Sequence, residues 1–158
     1  MSTTAPDVTA YSFTRRAWVA APPERVYELV GDVSLIGTWS PSADAAVYDE
    51  GDGPRVGAWF TGRNHRGDRE WSSRSRVVAA EPGSDFAFVV DDLVRWHWTF
   101  LPHGTGTEVR QSWTLLRPDP VLGTTDDDLA ALRDHMADSV ETTLVALAAW
   151  VASGQPVG

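Results

Sequence analysis

Asn64, Ser73, Ser75 and Gln111 are neutral hydrogen-bonding residues that fall on the same side of strand-like runs as Phe60, Trp71 and Trp113. Amides and hydroxyls set in an aromatic wall can bind and orient a carbonyl or hydroxyl group on a flat apolar molecule. A buried amide is costly unless hydrogen-bonded, so Asn64 and Gln111 serve either a ligand or the neighbouring backbone. Stronger chemistry is scarce. The chain has no cysteine, and all thirteen of its basic residues are arginine, which excludes thiolate nucleophiles, cysteine-ligated metals and Schiff-base or general-base lysines. Of the four histidines, His65 and His97 take the opposite strand face and His103 lies in a turn. That leaves His135, on the flank of a helical stripe, as the one that could reach an interior. No spacing of His, Asp and Glu suits a metal site, and the Gly51-Asp52-Gly53-Pro54 stretch reads as a turn, not a phosphate loop. No metal and no cofactor is therefore expected. The run Asp126, Asp127 and Asp128 reads as negative charge against the positive end of a helix dipole.

These side chains need strands to hold them. Residues 12–20 are rich in β-formers and end at Pro22 and Pro23, which suit a first helical turn. Val26, Leu29 and Val30 then give a one-faced helix of two turns that Gly31 stops. Asp32 can cap a further short turn through Ile36, and Gly37-Thr38-Trp39-Ser40-Pro41 reads as a loop with an anchored aromatic. From there the period becomes two. Candidate strands are 45–50, 58–65, 71–80, 85–90, 94–101 and 107–116, separated by short Gly-, Pro- and Asp-rich turns. Such short turns imply an antiparallel meander. After Pro118 and Pro120, Thr124 or Thr125 can cap a helix whose stripe is Leu129, Leu132, Met136, Val140, Leu144, Leu147 and Val151, about 40 Å long.

At 158 residues and 42% hydrophobic content the chain suits one domain, 1–158, with its core over about 12–153. A net charge of −9 argues against nucleic acid and anionic membrane surfaces as partners. The polar first ten residues lack the apolar core of a signal peptide, and no run is long enough to insert in a membrane. With no cysteine, these features point to a cytoplasmic protein. Eight tryptophans need a large apolar interior, which reads as a walled cavity. Taken singly, each inner tryptophan serves equally well as plain core.

The order of elements is that of the α+β helix-grip fold: an antiparallel sheet of about seven strands, two short helices after the first, wrapped around a long C-terminal helix. Pro22-Pro23-Glu24-Arg25-Val26-Tyr27, Gly37-Thr38-Trp39-Ser40-Pro41, Gly57-Ala58-Trp59-Phe60-Thr61-Gly62-Arg63-Asn64, Trp71-Ser72, Glu81-Pro82-Gly83, Arg95-Trp96 and Gln111-Ser112-Trp113 occur in that order. Together they resemble the polyketide cyclase/dehydrase-like branch of the SRPBCC (START-like) superfamily. The resemblance implies a fold that hosts lipid carriers, hormone receptors and aromatase/cyclases, so it does not by itself fix an activity.

Strand alternation assigns the lining: Phe60, Asn64, Trp71, Ser73, Ser75, Phe88, Trp96, Trp98, Gln111 and Trp113 from the sheet. Leu132 and Met136 close it from the last helix, and Trp39 lies near its mouth. Arg74, Arg76, Arg95, His97 and Arg110 take the outer face, with Trp59 and Arg63. The expected function is binding of a hydrophobic, aromatic or polyketide-like small molecule. One alternative is a polyketide cyclase or dehydratase that acts mainly by positioning, with catalytic residues unassigned. Another is a dimerising or regulatory module that pairs through a sheet edge or an exposed Trp59.

Overall fold

Proline, glycine and aspartate punctuation places every element boundary that matters for the interior. In the computed structural model, which describes residues 10–41, 43–51, 53–118 and 123–154, the chain runs β1 (Ser12–Val19), α1 (Pro23–Gly31), a 3-10 turn (Val33–Leu35) and α2 (Ile36–Trp39). It continues through β2 (Ala43–Glu50), β3 (Trp59–Arg66), β4 (Arg69–Glu81), β5 (Asp85–Val90), β6 (Val94–His103) and β7 (Gly106–Leu115) to α3 (Asp126–Ala152). The expected residues before Ala10, with Asp52 and Pro120, lie outside the described residues.

The strands form one antiparallel sheet in the order β1-β7-β6-β5-β4-β3-β2. Because β1 pairs with β7 and β2 begins at the opposite edge, the α1 and α2 segment must carry the chain across the sheet. Two irregularities in β2 and a bulge between Val77 and Ala79 of β4 bend the sheet. After that bulge the parity of β4 changes, so that Val77 pairs with Phe88 but Ala80 with Phe86.

Local chemistry explains the helices. Pro22 and Pro23 open α1, and the Asp32 side chain accepts hydrogen bonds from the Ser34 N–H at 3.2 Å and its hydroxyl at 2.5 Å. The segment expected to be a loop from Gly37 is instead helical as far as Trp39. Its turn is closed by the Ser40 N–H donating to the Ile36 carbonyl at 2.9 Å, and Pro41 prevents continuation. Thr125 caps α3 by accepting from the Asp128 N–H at 3.1 Å. Its 27 residues span about 40 Å.

The β5–β6 turn carries Asp91 and Asp92 at φ 50° and 59°, a left-handed pair that glycine adopts more cheaply. Asp91 is held by its side chain, which accepts the Arg74 N–H at 3.1 Å. Among the described residues Asp92 contributes its carbonyl alone, to the Arg117 Nε at 3.2 Å. Asp92→Gly is accordingly expected to raise unfolding free energy by about 0.5–1 kcal/mol, read as a higher melting temperature by circular dichroism. A lower one would show that the turn draws something from the Asp92 side chain.

The buried residues form two apolar clusters. The larger joins α1 (Val26, Leu29, Val30), Phe60 of β3, Phe86 and Phe88 of β5, and the C-terminal half of α3 (Val140, Leu144, Leu147). The smaller lies under the start of α3 and comprises Val94, Trp113, Leu115, Leu129 and Leu132.

Candidate functional site

Strand β7 crosses from one cluster to the other, with Val109 in the larger and Trp113 in the smaller. Gln111 stands between them, only 6% exposed. Trp98 is its cross-strand partner on β6, and Trp96 packs against both clusters. A polar seam thus divides an otherwise apolar interior. Two of its atoms, Gln111 Oε1 and Trp113 Nε1, are buried with no hydrogen-bond partner among the described residues. Each such group costs about 1–3 kcal/mol, so a donor and an acceptor left unpaired two residues apart on one strand face need a reason.

The expected lining residues separate into three groups. Trp98, Phe88, Phe60 and Ser75 are buried on the inner face, with Gln111, Trp113 and Leu132; Trp96 and Met136 are half-buried beside them. Phe60 packs edge-on against Phe88 at 5.0 Å and Tyr48 at 5.6 Å, while Phe13 stacks on Trp113 at 5.7 Å. Asn64 and Ser73 form a second polar pair, Nδ2 donating to Oγ at 2.8 Å, which leaves the Asn64 amide already engaged. Trp39 is buried, with its ring edge-on to Trp150 of α3 at 5.9 Å, so it ties α2 to the end of α3.

Trp71 departs from the expectation. It has the inner parity, opposite Asn64, yet is 44% exposed. It lies near the tip of the β3–β4 hairpin, past both apolar clusters, with the Arg69 guanidinium 5.9 Å over its ring. Trp59, expected to be bare on the outer face, is covered by Arg74 at 4.5 Å and Arg76 at 6.0 Å. Arg74 in turn binds Asp49 and Glu50 at 2.9 Å and 2.7 Å, and Asp49 also accepts from Thr61. These hydrogen bonds hold the Asp49 carboxyl below its ordinary range.

Acid–base groups are few around the seam. His65 faces Asp44 at 3.5 Å and His97 faces Asp85 at 3.4 Å, both on the outer side, whereas His135 on α3 is half-buried. Burial raises the phenols of Tyr27 and Tyr48, and the Tyr48 hydroxyl donates to the Gly31 carbonyl at 2.9 Å. No group of three His, Asp or Glu able to hold a metal occurs among the described residues. None of the described helices is long and apolar enough to cross a membrane.

Two concavities lie outside this interior. One, of about 420 Å³, follows the exposed side of α3 at Glu141, Val145 and Ala149. The other, of about 330 Å³, lies on the outer face of the sheet where Ser112, Thr114, Arg95 and His97 meet β1. The alternation of serine and threonine in β1 and β7 was the available signal for it, and the placement of Arg95 and His97 on the outer face marks its wall.

The solution structure of a polyketide-cyclase-like protein of Corynebacterium glutamicum, Cgl2372, is 32% identical, with 91% of this chain and 93% of that chain covered and a TM-score of 0.65. The crystal structure of the di-domain ARO/CYC StfQ from the steffimycin biosynthetic pathway is 19% identical, with 90% of this chain and 51% of that one covered and a TM-score of 0.73. Ara h 8.0201 is 13% identical, with 90% and 97% covered and a TM-score of 0.67. Both of the latter share the fold. No curated protein sequence matches this chain. Matched over residues 10–151, nearly its whole length, the chain belongs to the family described as polyketide cyclase / dehydrase and lipid transport.

Proposed function

We propose that the chain binds a hydrophobic, flat small molecule, aromatic or polyketide-like, between the sheet and α3. The unpaired Trp113 Nε1 and Gln111 Oε1 carry this reading. A ligand with one acceptor and one donor satisfies both atoms, and the surrounding Trp96, Trp98, Phe13 and Phe88 offer it ring faces. Leu132 and Met136 of α3 are the side chains that give way, and unbranched Met136 repacks at low cost. Binding therefore recovers hydrogen bonds that the free protein forgoes.

Gln111→Met tests this, because methionine keeps the length of the side chain and removes the unpaired acceptor. The variant is expected to be about 1 kcal/mol more stable, while its affinity for a hydroxylated polycyclic ketone falls at least about tenfold. Melting curves and fluorescence titration read the two effects. A destabilised variant that binds as well as the parent would make Gln111 a structural residue and remove the basis of the reading.

The same site would serve a cyclase or dehydratase acting by positioning, a reading favoured by the half-buried His135 on α3 and by the fold shared with StfQ. Incubation with a poly-β-ketone thioester distinguishes the two. Binding alone returns the input mass, and a dehydrating cyclisation returns a product lighter by one water.

A further inference from the structure

The outer-face groove is separated from the interior by the sheet itself, and its composition is of a different kind. Two cross-strand rows build it, Ser12–Thr114–Arg95 and Thr14–Ser112–His97, running over β1, β7 and β6. Four short hydroxyl side chains make the floor, and the longer Arg95 and His97 make one wall. With strands about 4.8 Å apart, the floor is about 10 Å across. The intervening residues point inward, where Phe13 stacks on the fully buried Trp113, so the platform is rigid.

Charge singles out Arg95. Arg16 and Arg110 share Glu108 at 3.6 Å and 2.8 Å, and Arg15, Arg25, Arg63, Arg74 and Arg133 each meet a carboxylate within 4 Å. Arg95 has no hydrogen bond, ion pair or ring contact among the described residues. Across the sheet Arg95 stands opposite Val89 and Thr114, and Asp85, four residues along β5 from Val89, faces His97 at 3.4 Å. Thr14 and Ser112 already share a hydrogen bond at 2.8 Å, and the hydroxyls of Ser12 and Thr114 beside Arg95 show none among the described residues. On a chain of net charge −9, Glu108 is shared by Arg16 and Arg110 and Asp85 faces His97, so the Arg95 guanidinium is the cation of this stretch that meets no carboxylate within 4 Å among the described residues.

We propose that this groove is a binding site for a small oxyanion, a carboxylate or phosphate carried on a polar molecule. The Arg95 guanidinium pairs with two of its oxygens, and the hydroxyls of Thr114, Ser12 and Ser112 donate to the others. At about 330 Å³ the groove exceeds a bare phosphate and leaves room for a polyol body. This site is independent of the apolar interior, and either can fail without the other.

The test is an amide ¹H–¹⁵N titration of the whole chain with inorganic phosphate, sodium acetate and glucose 6-phosphate, each against sodium chloride at equal ionic strength. Amides of residues 12–14, 95–97 and 112–114 are expected to shift saturably, with a Kd of about 1–20 mM for phosphate or acetate and a lower one for glucose 6-phosphate. Response to phosphate alone, or to acetate alone, identifies the oxyanion. Arg95→Gln, which removes no hydrogen bond, ion pair or ring contact among the described residues, is expected to raise Kd at least about tenfold. Shifts that are linear, that chloride reproduces, or that Arg95→Gln leaves unchanged would overturn the proposal.

Discussion

Replacing Gly106 by alanine is expected to lower unfolding free energy by about 3 kcal/mol and the melting temperature by roughly 6–12 °C. A Cβ at this position would stand 2.3 Å from the Val19 carbonyl oxygen and 2.6 Å from the Trp18 ring. Neither neighbour is free to yield. The Trp18 indole N–H donates to the His103 carbonyl at 3.0 Å, and just beyond Val19 the Ala21 carbonyl accepts from the buried Thr107 hydroxyl at 2.7 Å. The added methyl must therefore force β1 away from β7 at the end where they are clamped. The Phe13–Trp113 stack lies at the other end of the same strand pair. Thermal unfolding followed by circular dichroism reads the effect. A loss under about 1 kcal/mol would mean that the end of β1 swings aside freely.

Phe86→Ala is expected to cost about 3–5 kcal/mol. Phe86 is 1% exposed, meets Tyr27 edge-on at 6.5 Å and lies 5.6 Å from Phe88. Tyr27 also meets Phe100 edge-on at 6.0 Å. The ring thereby joins α1 to the sheet, and its loss leaves a space that rigid aromatic neighbours fill poorly. Urea unfolding measures the change. A cost below about 2 kcal/mol would show that α1 settles into the gap, because the cost of such a truncation depends on how far the site collapses.

The order of elements was legible because its signals are local. Pro22 and Pro23, Gly31, the two-residue alternation from β3 to β7 and the stripe from Leu129 to Val151 each report on their own segment. Alternation also placed Phe60, Ser75, Phe88, Trp98, Gln111 and Trp113 on one face, since parity is a property of the strand. It could not report how far along a strand the interior extends, and so Trp71 was assigned inward although the hairpin outruns both apolar clusters. Nor could it foresee the bulge at Val77 and Ala79, which shifts the parity of β4 without a glycine to mark it. The turn at Ile36–Trp39 was missed because a single helical turn has no periodicity to read. The cover over Trp59 depends on Arg74 and Arg76 of the adjacent strand, and the outer groove depends on three strands side by side. Neither is a property of any one segment.

The most direct test of interior binding is the indole N–H resonance of Trp113, assigned by its disappearance in Trp113→Phe, during titration of the chain with emodin and separately with palmitate. Binding in the polar seam predicts that this resonance moves downfield and saturates as the unpaired donor gains an acceptor, and that the movement is lost in Gln111→Met. A Trp113 resonance unmoved by either compound, or moving equally in Gln111→Met, would contradict it and leave the interior a closed core.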